Sequence, residues 1–385
     1  MYDTLPVSPA NESRGPWQGI LVACNRYVVV AAAALAGIAA AAVPLQATRL
    51  GSSPVAAASN RPNGCEFTQQ EASWVQRALD GWDLVRRDFL KVDARQLPWI
   101  VLYDASCIWH FAATDPKLVV DAKPIKTRFT FAGDQLDVLA MPHRGTVLLP
   151  NRVEIPIEIK ASTALYRSGR ATFFVMSMPS VWRRKPYLDE YLQGVFSHEL
   201  VHTLQLVNIN RRLRQLIGTV DVPGRLNDDV IQARFQKEQG FARAMDRERE
   251  LFYKATGASD KSHRNDLVRK ALAIVRERHA KYFAGSNAVY HEIESLFLTM
   301  EGVGQWTAYR LTKARGQLGS SDADAMNLVR EDRRYWSQDE GLALFLLIEA
   351  MVPNWQARMF DGLPPSPYTL LEDALKAESA PSKER

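Results

Sequence analysis

Three cysteines in 385 residues allow at most one intramolecular pair, so no disulfide framework carries this fold. Charge of one sign is missing too. The chain has 48 Lys and Arg against 43 Asp and Glu, a net of +5 spread along its length. The basic stretches at residues 210–214 and 243–249 read as solvated helix faces, and nothing else supports nucleic-acid binding. No internal repeat is visible, and no extra segment announces a cell-wall, lipid or partner-binding domain. What remains is an ordinary globular composition, 46% hydrophobic and 24% charged. The length suffices for one or two domains with a large core.

The amino terminus departs from that average. From Tyr27 to Val43 no residue is charged, Arg26 precedes the run and Pro44 follows it. A positive flank, an apolar stretch and small residues near its end describe a signal peptide or an uncleaved signal anchor. Cleavage after Ala42 or Ala47 fits the first; anchoring in the inner membrane through Tyr27 to Val43 fits the second. The Leu21-Val22-Ala23-Cys24 box precedes the apolar stretch instead of following it, so it is no lipoprotein signal. A Ser/Ala/Pro/Asn linker reaches to residue 64. The expectation is a periplasmic or secreted protein. Cys65 and Cys107 then form an even pair that an oxidising compartment would join, the alternative being two buried thiols.

Histidine is scarce as well, seven in all, yet two stand four apart in Val195-Phe196-Ser197-His198-Glu199-Leu200-Val201-His202-Thr203-Leu204. On a helix, positions i and i+4 share a face, so His198 and His202 can reach one cation. Glu199 flanks that cation where a zinc-bound water would sit, as a general base requires. The remaining positions are uncharged, which suits a buried helix. This H-E-x-x-H segment resembles the extended zincin consensus of zinc metallopeptidases. The resemblance implies one zinc ion per chain, a peptide or protein substrate, and a twisted sheet whose edge strand faces the substrate.

Catalytic zinc needs a third protein ligand. Gln205 and Asn208 occupy the offsets where metzincins place glycine and histidine, so that route fails. Gly218-Thr219-Val220-Asp221 resembles the aspzincin G-T-x-D pattern, but its tyrosine and second glycine are missing. Asp221 stays as the alternative. A gluzincin-like route uses a glutamate on a later helix. Glu301 lies after the apolar Leu296-Phe297-Leu298 run and beside Gly302 and Gly304, where a buried carboxylate calls for a positive partner. Glu301 is the favoured ligand. Glu294, two turns earlier, is expected to orient a ligating histidine. Tyr309, with Tyr290 and Tyr335 behind it, is the weak candidate for stabilising an oxyanion.

Periodicity places a helix over residues 67–90 and strands at 98–103, within 128–156, and at 171–178; the zincin resemblance implies that the last is the edge strand, an ordinary core strand being the alternative. The motif helix starts near Tyr187 and runs to about Leu206. Helices follow at 229–256, 266–283, 289–313, 321–330 and 337–351. The class is α+β and zincin-like: an N-terminal twisted mixed β-sheet with the active-site helix, then a mainly α-helical half. The segments are residues 1–47 (signal), 48–64 (linker), 65–206 (sheet lobe), 207–371 (helical lobe) and 372–385 (flexible tail). The expected function is zinc-dependent peptide hydrolysis. The alternatives are a zinc amide hydrolase acting on cell-wall peptides and an inactive zincin-fold binding protein.

Overall fold

The computed structural model describes residues 64–167, 169–182, 187–217, 228–315, 322–330 and 333–379. The signal segment, the linker up to residue 63 and Asp221 therefore lie outside the described residues. Helix α1 (Gln69–Leu84) starts from a reciprocal cap, in which the Thr68 hydroxyl accepts from the Glu71 amide and the Glu71 carboxylate accepts from the Thr68 amide. Among the described residues ten strands follow: β1 (Trp99–Tyr103), β2 (Cys107–Phe111), β3 (Lys123–Pro124), β4 (Phe129–Phe131), β5 (Asp134–Leu136), β6 (Val138–Pro142), β7 (Thr146–Leu148), β8 (Glu154–Pro156), β9 (Ala161–Tyr166) and β10 (Ala171–Ser177). The main sheet has the order β3-β6-β2-β1-β10-β9, while β4-β5 and β7-β8 form separate hairpins. Ala132 and Gly133 turn the first hairpin with positive φ at both positions, the geometry a two-residue connection prefers.

β1 pairs with β10 in parallel and with β2 antiparallel, so the sheet is mixed. Its central strands are buried on both faces, which explains why Trp-Ile-Val-Leu-Tyr is a continuous apolar run and not an alternating one. β10 lies between β1 and β9, correcting the expectation that it forms the edge. The edge strand on that side is β9, which sequence reasoning overlooked because Ala-Ser-Thr-Ala-Leu-Tyr has neither a strong apolar run nor clean alternation. Cys65 and Cys107 form a disulfide with Cα atoms 5.7 Å apart, fastening the segment before α1 to the end of β2.

Beyond the sheet the chain is helical. The 30-residue α2 (Leu188–Ile217) carries the histidines. Then come α3 (Val230–Phe235), α4 (Gln239–Thr256), α5 (Lys261–Tyr282), α6 (Tyr290–Arg315), α7 (Asp322–Arg330), α8 (Trp336–Met351), α9 (Ala357–Phe360) and α10 (Pro367–Ser379). The sheet and helical halves share one core: Trp74, Phe174 and Phe196 belong to the same cluster as Trp306, Phe345 and Leu371. No described helix is long and apolar enough to cross a membrane.

The tail needs a correction. Residues 372–379 are the second half of α10, with Leu375 buried. Its acids are docked: Arg276 of α5 donates to Glu372, and Asn265 of α5 donates to Glu378. Charge alone suggested fraying, but here it bonds one helix to another.

Candidate metal centre

α2 lies between the sheet and α6, and small residues set the spacing. A Cβ on Gly194 would meet Ala308 at 3.4 Å, and one on Gly304 would strike the His198 ring at 2.7 Å. Contact 194–308 and contact 198–304 each step by four residues in opposite chain directions, so the two helices run antiparallel here. Glycine at 304 leaves room for an imidazole between the helices. Gly302 does the same for α8: its Cβ would lie 2.7 Å from the Gly341 carbonyl oxygen.

This crossing brings His198, His202 and Glu301 together, each at most 2% exposed. One carboxylate oxygen of Glu301 is 3.3 Å from His198 Nε2, and the other is 3.3 Å from His202 Nε2. The imidazoles stand nearly perpendicular, with centroids 4.5 Å apart. Two ligand atoms about 2.05 Å from a common zinc at the tetrahedral angle lie about 3.3 Å apart. Each nitrogen meets one carboxylate oxygen at that spacing, and with ligand atoms of all three residues within 4.8 Å of one another the group could hold a metal ion.

The acid and the imidazoles of the site shift one another. Burial alone would lower the His202 pKa, but the Glu301 carboxylate 3.3 Å away, and then Glu199, hold it above the ordinary histidine value. Burial alone would raise Glu301, yet the two histidines hold its carboxyl well below the usual carboxylate range. The carboxylate is thus kept anionic inside the protein, as a cation ligand must be.

Glu199 is fully buried beside this group and is gripped from the sheet. The Thr163 hydroxyl, on edge strand β9, lies 2.6 Å from the Glu199 carbonyl oxygen and 3.2 Å from its Oε2. The hydroxyl has one proton, so it donates to one of these acceptors at a time.

Two other sequence expectations fail. Glu294 does accept from a histidine, but from His279 Nε2 at 2.6 Å, together with Arg278 at 2.7 Å. It belongs to a separate buried network with Glu248, Glu340 and Tyr368. Seven residues carry it about 10 Å along α6 from Glu301, too far to reach a ligating ring. Tyr309 is displaced by about 12 Å along the same helix. It faces Lys313, Asp322, Arg310 and Glu349 and not the histidines. Arg310, further along the same helix, pairs with Glu349.

Sequence reasoning missed Thr163, Gln338 and Asp229. Gln338 Nε2 donates to Glu301 Oε2 at 3.0 Å. Asp229 is pushed up to about 6, by burial first and then by the nearby Glu301 charge, against the pull of Arg334. Asp229 precedes α3 and makes no side-chain cap bond there.

Compared with known proteins, the chain matches no family model, no curated protein and no solved structure.

Proposed function

We propose that this protein is an exported zinc-dependent metallopeptidase of zincin-like fold, in which His198, His202 and Glu301 hold the metal and Glu199 is the general base. The observation that carries the reading is the convergence of three buried ligand groups, their ligand atoms within 4.8 Å of one another, beside a fourth, separately held carboxylate. Zinc at this position would supply Lewis acidity, lowering the pKa of water and polarising a carbonyl.

The protein's own residues do the rest. Glu199 takes a proton from the attacking water and delivers it to the leaving amine as the C–N bond breaks. Thr163 holds Glu199 from the sheet side, so the base does not swing onto the metal ligands. A peptide pairing with the outer edge of β9 through main-chain hydrogen bonds would run past Thr163, and so past Glu199. Export is supported by the uncharged run from Tyr27 to Val43 and by the disulfide, which suits an oxidising compartment.

The test is cleavage of a peptide library by the zinc-loaded protein, with Glu199→Gln as the control. Hydrolysis by the wild type and a loss of about 10²–10⁴-fold in the variant at unchanged zinc content support the proposal. Cleavage of peptidoglycan cross-links alone points to a cell-wall amide hydrolase. Stoichiometric zinc with no hydrolysis of either library overturns the catalytic reading and leaves a binding protein.

A further inference from the structure

Glu301 carries a carboxyl group fully buried inside the protein, and its neighbours decide how that group is presented. Gln338, in the first turn of α8, donates to Glu301 Oε2 at 3.0 Å. Its own Oε1 accepts from Gln305 Nε2 at 2.7 Å. Gln305 is one turn after Glu301 on α6, so α8 inserts one amide between two residues of α6. Both glutamines are buried, at 4% and 6% exposure.

The order of the relay matters. Because Gln305 occupies the oxygen of the Gln338 amide, the NH₂ end must face the carboxylate. The donor is also uncharged. Several guanidinium groups of the helical half are engaged by other acids: Arg310 by Glu349, Arg249 and Arg330 by Asp339, Arg278 by Glu248 and Glu294, while Arg334 acts on Asp229. A guanidinium at Gln338 would compensate the Glu301 charge and compete with a cation for it. An amide orients the carboxylate and leaves the charge in place. The close Gly302–Gly341 crossing, three residues from Gln338, brings the first turn of α8 to this point.

We propose that Gln305 and Gln338 form a positioning relay that locks the Glu301 carboxylate in its ligand orientation without neutralising it, which makes α8 part of the metal centre. The inference rests on the metal reading of the site. Outer partners of metal ligands are worth about 10–100-fold in affinity when removed.

The experiment is a zinc titration of the purified full chain against a chromophoric chelator, with the visible spectrum of the cobalt(II) form recorded alongside. Gln338→Met keeps the side chain's length and loses the amide. It is expected to bind zinc about 10–100-fold more weakly and to show altered cobalt bands. Gln305→Met is expected to shift both in the same direction by less. Tyr368→Phe serves as control: it removes a buried hydrogen bond to Glu340 of the same helix, at 2.7 Å, without touching Glu301. It should lower the melting temperature and leave zinc affinity as it was.

Wild-type zinc affinity and cobalt bands in Gln338→Met overturn the relay alone. An equal affinity loss in Tyr368→Phe also overturns it, by showing that general loosening of α8 suffices. If Gln338→Met does not fold, unchanged affinity in Gln305→Met overturns the relay. A wild-type protein that takes up neither metal overturns the relay and the metal reading together.

Discussion

Replacing Gly304 with alanine puts a methyl group where the His198 ring lies. The new Cβ would sit 2.7 Å from both Cε1 and Nδ1 of His198 and 2.9 Å from its Cγ. Non-bonded carbons settle at about 3.5–4.0 Å, so the ring has to yield by about 0.8 Å. Metal–ligand distances hold to within about 0.2 Å, so that displacement takes His198 out of coordination. The expected loss of zinc affinity is at least about 100-fold, equivalent to about 2.7 kcal/mol. The metal-free fold should suffer less. Alanine gains about 1 kcal/mol over glycine in a helix interior, offsetting part of an overpacking cost of about 1–3 kcal/mol. The assay pairs chelator competition with thermal unfolding of the metal-free protein. Gly302→Ala gives the contrast, because its Cβ meets the Gly341 carbonyl oxygen at 2.7 Å and carbon at 2.9 Å, and backbone cannot rotate aside. That variant should lose the fold first. Gly304→Ala protein that binds zinc as tightly as wild type would refute the placement of His198 against α6.

Three further outcomes follow from the geometry. Thr163→Val removes the hydroxyl that touches Glu199 and keeps the side chain's shape; kcat should fall about tenfold while zinc content stays at the wild-type level. Reducing the Cys65–Cys107 bridge, or replacing both residues with serine, frees a 42-residue separation and should cost about 4 kcal/mol in denaturant unfolding, with zinc affinity unchanged. Glu294 supplies a pH test: burial would raise its pKa, but Arg278 and His279 outweigh that and bring it to about 2. A carboxyl depressed on folding contributes its stability above its unfolded pKa and loses it as pH falls toward the folded value. The stability advantage of wild type over Glu294→Gln should therefore shrink by about 3 kcal/mol between pH 5 and pH 2, and a constant difference would contradict the ion network.

Local patterns in the sequence located the motif helix, because i and i+4 on one helix need no tertiary knowledge to converge. Glu301 was legible for a related reason: a carboxylate among Leu296, Phe297, Leu298 and two glycines is costly unless a partner meets it. The rest depended on which elements meet. Thr163 sits on a strand with little apolar signal, 36 residues before Glu199. Gln338 comes 37 residues after Glu301 and reaches it only because Gly302 and Gly341 let two helices touch. A signal was present in the run Ser337-Gln338-Asp339-Glu340, four polar residues opening an otherwise apolar helix, all of them buried. Glu294 misled because helix periodicity puts it on the face of Glu301 but says nothing about distance along the axis. Tyr309 misled in the same way.

The central claim is that His198, His202 and Glu301 close one metal site. X-ray absorption at the zinc edge, with metal analysis of the wild type, Glu301→Ala and Asp221→Ala, tests it most directly. The account predicts one zinc per chain with nitrogen and oxygen neighbours at about 2.0–2.1 Å, including two imidazoles. It predicts loss of that zinc in Glu301→Ala and retention in Asp221→Ala. Zinc that stays in Glu301→Ala and leaves in Asp221→Ala would contradict it.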